Sequence, residues 1–147
     1  MKKSISIILI SFSIFSFGAH AANDDSHGHS NHNAEAATSG LNLNNGDRWE
    51  MDDHTRKMSS KMEETFFSAD HSNQTSLNAL GNHLEAQLGE LISGCTMSGE
   101  AHNQLHLFLT DYVPTIQSLA KAEDYDTARN SAIKLKQSLE NYKKHFK

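Results

Sequence analysis

From Trp49 to the end of the chain, apolar residues recur every three or four positions, which is the spacing of one face of an α-helix. The recurrence falls into four segments, separated by polar turns at residues 70–73, 94–99 and 122–124. Strict alternation of apolar and polar residues, typical of a half-buried strand, does not occur. Because short connections force neighbouring helices to run antiparallel, the pattern predicts an all-α fold. We expect an antiparallel up-down-up-down four-helix bundle over residues 46–147.

Each segment carries one apolar stripe, which we expect to face the core of the bundle. Asp52 or Asp53 is suited to cap the first helix, and Ser98 is suited to cap the third. The four stripes are Met51, Thr55, Met58, Met62, Phe66 and Ala69; Leu77, Leu80, Leu84, Leu88, Leu91 and Cys95; Ala101, Leu105, Phe108, Tyr112, Ile116 and Leu119; and Ala128, Ala132, Leu135, Leu139, Tyr142 and Phe146.

The start of the chain has the features of a secretory signal peptide. Lys2 and Lys3 precede an apolar run over residues 5–17, and Ala19-His20-Ala21 matches the A-x-A cleavage site. The run is shorter than the roughly 20 apolar residues that span a bilayer. We therefore predict that residues 1–21 are a signal peptide of bacterial type. The mature protein is expected in the periplasm, without stable membrane insertion after cleavage.

Residues 22–45 form a polar segment of low complexity that contains His27, His29 and His32. Asp, Ser, Asn and Gly surround these histidines, so the segment has too few apolar residues to bury a core. We predict a disordered His-rich segment. Its histidines either bind Zn²⁺, Cu²⁺ or Ni²⁺ weakly or belong to a solvated linker, and the sequence leaves both interpretations open.

Net charge and missing motifs exclude several classes of function. The formal net charge is −5, and removal of Lys2 and Lys3 with the signal peptide would make it about −7. An acidic chain without a basic stripe is not typical of a nucleic-acid-binding protein. The sequence contains no C-x-x-C-H motif, no Gly-rich phosphate loop and no G-x-S-x-G motif. These features favour a binding protein over an enzyme.

A cluster of potential metal ligands lies between the second and third predicted helices. It consists of Cys95, Met97, His102 and His106, spaced as C-x-M-x4-H-x3-H. His102 and His106 are one helical turn apart and therefore share a face. Thiolate, thioether and imidazole together suit Cu(I), whereas cysteine and histidine alone suit Zn²⁺. Cys95 is the only cysteine, so it is a metal ligand, an intermolecular partner or a core residue.

The antiparallel order of the helices predicts two additional ligands for this cluster. The second helix should end beside the start of the first, which places Cys95 near Met51 and His54. Met51, Met58 and Met62 share one stripe, and methionine at helical spacing is also a common core residue. The sequence therefore supports either a soft-ligand pocket at this end or ordinary core packing.

The last two segments share a set of residues at fixed spacing: Leu119-Ala120, Ala128, Ala132, Leu135-Lys136 and Tyr142-Lys143-Lys144-His145-Phe146-Lys147. In these residues the segments resemble the C-terminal end of cytochrome b562. The resemblance implies a periplasmic four-helix bundle that holds a b-type haem between a methionine on the first helix and a histidine near the end of the fourth. Met51 or Met58 is then the candidate methionine. Lys143 occupies the histidine position, and His145 lies about 200° further around the helix.

Three functions are therefore compatible with the sequence. The first is a periplasmic bundle that sequesters or relays a soft transition metal, with copper favoured over zinc. The second is an electron-transfer protein with a b-type haem held by Met51 and His145. The third is a metal-free interaction or stress protein whose histidines have no ligand. In the first case the metal ion itself is the partner, and the sequence identifies no protein partner.

Overall fold

The computed structural model describes residues 40–147. It contains α1 (Asp53–Ser68), α2 (Gln74–Gly94), α3 (Gly99–Ala120) and α4 (Tyr125–His145). Helix α2 packs against each of the other three helices. The described residues form no strand, only two isolated bridges, so the predicted all-α four-helix fold is confirmed. The predicted signal peptide and the tail histidines His27, His29 and His32 lie outside the described residues.

Polar residues fix where the helices begin. The side chains of Asp52, Asn73 and Asp124 each accept a hydrogen bond from the backbone N–H three residues along, at 2.7–2.9 Å. These bonds satisfy N–H groups that the first turn of a helix leaves unpaired. Ser98 is the N-cap residue of α3 but makes no such side-chain bond. Asp52 is therefore the cap of α1, one of the two residues that the sequence predicted.

Met51 lies before α1 and not on it, which differs from the prediction. Because Asp52 adopts an extended conformation to cap the helix, the helical face starts only at Asp53. Met51 is nevertheless 2 % exposed, so it is buried in the core without being part of a helical stripe. Its backbone N–H donates to the carbonyl of Lys147 at 2.8 Å.

The four predicted stripes form most of the core. Most of their members interlock in one hydrophobic cluster, which Ala122 from the last turn joins. The stripe members that are only partly buried beside this cluster are Ala69, Cys95, Ala101 and Tyr142. The side chains that are at most 1 % exposed include Met62, Leu77, Leu84, Ile116, Leu119 and Leu135.

The segment before α1 pairs with the last residues of the chain. Trp49 donates its backbone N–H to the His145 carbonyl at 2.7 Å, and its own carbonyl accepts from the Lys147 N–H at 2.9 Å. Further upstream, the Asn42 N–H donates to the side-chain oxygen of buried Gln104 on α3 at 2.9 Å. These bonds place the residues that precede α1 at the end of the bundle where the α2–α3 connection lies. Residues 40–45, the last part of the segment for which the sequence predicts disorder, are therefore attached to the bundle, with Leu41 packed against its core.

Candidate metal site

The structure brings three of the predicted ligands together at the α2–α3 connection. Cys95 follows α2 directly, whereas His102 and His106 lie on the first two turns of α3. The Cys95 Sγ atom is 3.8 Å from Nδ1 of His102, and the two histidine Nε2 atoms are 2.9 Å apart. His102 thus contacts both other residues.

These three side chains line a cleft between α2 and α3 with a volume of about 310 Å³. Its remaining wall is mostly apolar. Cys95 and His102 are half-buried, and His106 is exposed. The cleft therefore shields the thiol from water more than it shields the second histidine. The other lining residues are Leu91, Ile92, Leu105, Leu109, Thr110 and Val113.

The orientation of His102 determines what the cluster can coordinate. Its Nδ1 faces Cys95 and its Nε2 faces His106, so the two contacts use different edges of one ring. One ion cannot reach both edges at once. In keeping with this geometry, no group of three or more His, Cys, Asp or Glu side chains among residues 40–147 is arranged to hold a metal ion. The two Nε2 atoms lie together on the edge of the His102 ring that Cys95 does not contact.

The loop that carries Cys95 is attached to the start of α1. Thr96 donates its backbone N–H and its hydroxyl to Oδ2 of Asp52, at 2.7 and 2.8 Å. Oδ1 of the same carboxylate caps α1 through the Thr55 N–H. Partial burial alone would raise the pKa of Asp52, but the hydrogen bonds from Thr55 and Thr96 outweigh it and hold that pKa well below its usual range.

Met97 and His54 lie near the cluster without joining it. Met97 packs half-buried against the core and does not line the cleft. His54 contacts the Glu90 carbonyl through Nε2 at 3.0 Å, near the end of α2. Its ring fills the space beside Gly94, where a Cβ atom would collide with it. The start of α1 therefore lies beside the α2–α3 loop, as predicted. His54 itself is directed at the backbone of α2 and not at Cys95.

A second cleft, of about 200 Å³, opens between α1 and α4 and reaches residues of all four helices. Its wall includes Met62, Tyr142 and Lys143, and Lys143 forms an ion pair with Glu63 of α1. The resemblance to cytochrome b562, which implies a haem between α1 and α4, is therefore compared with the lining of this cleft.

The residues proposed for haem ligation do not line this second cleft. Met51 is buried ahead of α1, and His145 donates Nδ1–H to the Asn141 carbonyl at 2.9 Å. Lys143, in the position of the family's histidine, is ion-paired. The described residues therefore do not present the methionine–histidine pair that the resemblance implies.

Comparison of the chain with known protein families, with curated proteins and with solved structures finds no match. Within residues 40–147, none of the helices is both long enough and apolar enough to cross a bilayer. The resemblance to cytochrome b562 and the predicted export therefore stay predictions.

Proposed function

We propose that this protein binds one soft transition-metal ion, Cu(I) in preference to Zn²⁺, at the cluster of Cys95, His102 and His106. The observation that carries the proposal is the 2.9 Å separation of the two histidine Nε2 atoms, with the thiol of Cys95 on the other edge of the same imidazole. As an exported, acidic helical bundle, it would sequester the ion or relay it to a partner.

The separation of the two histidine Nε2 atoms is close to the value that metal binding requires. Two imidazole nitrogens that ligate a tetrahedral ion at about 2.0 Å lie about 3.3 Å apart. His102 and His106 therefore need to separate by only a few tenths of an ångström. Because both residues lie on consecutive turns of α3, the helix already holds them together, and little conformational entropy is lost on binding.

The thiol decides which ion is preferred. Cys95 would complete a three-ligand site when its Sγ moves to the Nε2 side of His102, or when the imidazole turns about χ2, a torsion with a broad energy profile. Thiolate with imidazole accommodates both Zn²⁺ and Cu(I), and the soft sulfur favours Cu(I). A bound metal would also explain how a lone thiol stays reduced in the oxidising compartment that the signal peptide predicts.

The test is Cu(I) binding under anaerobic conditions, measured by competition with a Cu(I) chelator. The full mature chain carries His27, His29 and His32 replaced by alanine, so that the tail cannot bind the ion. Cys95→Ser, His106→Ala and the double variant are compared in this background. His83→Ala is the matched control, since His83 is an exposed histidine on the surface of α2.

We expect each single substitution to weaken binding at least tenfold and the control to leave it unchanged. The double variant should lose less than the sum of the two single effects, because ligands of one ion act as a unit. If Cys95→Ser binds Cu(I) as tightly as its parent, Cys95 is a core residue only. Metal binding would then be confined to the histidine pair or to the tail.

Two alternative functions would follow from other outcomes. A haem-dependent visible spectrum of protein purified from the periplasm would favour the electron-transfer protein implied by the resemblance to cytochrome b562. Absence of metal and haem from untagged, freshly purified protein, with no Cu(I) affinity, would favour the metal-free interaction or stress protein.

A further inference from the structure

The carboxylate of Asp52 joins two parts of the chain that are 44 residues apart. Its Oδ1 accepts from the Thr55 N–H at the start of α1. Its Oδ2 accepts from both the N–H and the hydroxyl of Thr96. Thr96 lies between Cys95 and Met97, so these two bonds fix the backbone on which the candidate sulfur ligands are carried.

We propose that Asp52 is a positioning residue of the metal site, which holds the α2–α3 loop so that Cys95 lies beside His102 before the ion arrives. This inference rests on the proposed function. A loop that is ordered in advance loses less conformational entropy when metal binds, and affinity rises accordingly. Asp52 itself touches neither histidine and acts through Thr96.

The comparison with Asp124 distinguishes this role from ordinary helix capping. Asp124 caps α4 through the Thr127 N–H at 2.7 Å, and its second oxygen accepts from the hydroxyl of the same threonine at 2.8 Å. Both oxygens of Asp124 therefore serve its own helix. Asp52 uses one oxygen for α1 and the other for the loop that bears Cys95.

Asparagine separates the two roles of Asp52. Asn is about as good an N-cap as Asp, so Asp52→Asn retains an oxygen for the Thr55 N–H. The amide NH₂ then replaces Oδ2 and is itself a donor, so it cannot accept from the Thr96 N–H, whereas the Thr96 hydroxyl can turn to accept from the amide. Asp124→Asn makes the same change of charge and chemistry at the start of α4, at the opposite end of the bundle, and is the matched control.

The experiment measures Cu(I) affinity by chelator competition and thiolate-to-copper absorbance in the near ultraviolet. It uses the full mature chain with the three tail histidines replaced by alanine. Asp52→Asn and Thr96→Val should each weaken Cu(I) binding about ten- to hundredfold, the range found when supporting partners of metal ligands are removed. Thr96→Ser, which keeps the hydroxyl, and Asp124→Asn should bind as the parent does.

Melting temperatures of the metal-free variants supply a second measurement. Asp52→Asn should lower the melting temperature more than Asp124→Asn, because it also disturbs the bonds to Thr96. We expect both variants to be fully folded at the temperature of the binding assay, so that a difference in copper affinity reports the loop and not unfolding. Parental Cu(I) affinity and absorbance in Asp52→Asn would overturn the positioning role while the proposed function stands. Absence of a thiolate–copper signal in the parent would overturn the proposed function, and the positioning role with it.

Discussion

Helices α2 and α3 meet in two different ways at the two ends of the bundle. Near the start of α2, Gly81 lies so close to the backbone of Ala120 and Leu119 that an added Cβ atom would be closer than 3.0 Å to both. Near the end of α2, leucine side chains and the cluster of Cys95, His102 and His106 separate the same two helices around a cleft. One helix pair thus combines a rigid backbone contact with an accessible, ligand-bearing cleft.

Hydrogen bonds strengthen the close-packed end. The side-chain amides of Gln74 and Asn78 both donate to the Ala122 carbonyl, at 2.8 and 3.0 Å. These bonds tie the start of α2 to the connection that follows α3. The two helices are therefore held together by backbone contact and hydrogen bonds at the close-packed end, whereas side chains hold them apart at the other end.

The largest expected change in stability comes from adding a methyl group at Gly81, where α2 meets the backbone of α3. Gly81→Ala forces the backbones of α2 and α3 apart, and overpacking of this kind destabilises a protein by about 1–3 kcal/mol or more. Gly89→Ala is the matched control on the same helix, because its Cβ would meet nothing within 4 Å. Alanine there should instead stabilise the helix by about 0.5–1 kcal/mol.

Urea unfolding monitored by circular dichroism would measure both alanine variants. Equal stabilisation by the two substitutions would show that α2 and α3 do not meet at Gly81 as described. Metal-free Gly81→Ala protein that unfolds in two steps would show that the two ends of the bundle lose structure separately.

A smaller loss of stability is expected at low pH. It comes from two carboxylates at the end of the bundle opposite the cluster of Cys95, His102 and His106. Hydrogen bonds from Thr127 hold the pKa of Asp124 below its usual value, and hydrogen bonds from Ser72 and Ser76 do the same for Asp70. A carboxyl group with a depressed pKa in the folded state stabilises the fold above its unfolded pKa of about 4. That contribution disappears as the pH falls through the folded-state pKa.

These carboxylates should therefore change the melting temperature of the metal-free protein little between pH 7 and 5. When the pH is lowered further, below about 4, the melting temperature should decrease. Asp124→Asn should reduce this acid sensitivity slightly, because one of the responsible groups no longer titrates. A melting temperature that rises on acidification below pH 4 would contradict the assignment.

The four stripes were predictable because burial follows residue type and spacing, and the cap at Asp52 was predictable because capping depends on nearby residues alone. Other features were not predictable, because they depend on residues that are distant in sequence. One is the bond from Thr96 to the second oxygen of Asp52. Another is the contact of Gly81 with Ala120. From local sequence alone, a glycine within a helix is only unfavourable, so nothing indicated that a close contact requires it.

The candidate metal site was partly predictable for the same reason. Helical spacing placed His102 and His106 together, and antiparallel order placed the α2–α3 loop near the start of α1. The direction of each ring was not predictable, because it depends on contacts with other elements. His54 faces the Glu90 carbonyl, and His102 turns different edges to Cys95 and His106.

The smallest expected effect is the change in the visible spectrum when haem is added to the protein. We predict that no six-coordinate haem spectrum forms. Met51 and His145 do not line the cleft between α1 and α4, and Lys143, which does, is ion-paired with Glu63. Lys143→His is the informative comparison, since it places an imidazole at that position of the cleft and should raise haem affinity above that of the parent. Visible titration of both proteins measures this. Sharp bands in the parent, lost when Met51 and His145 are replaced together, would contradict the prediction and would make the cleft between α1 and α4 the functional site.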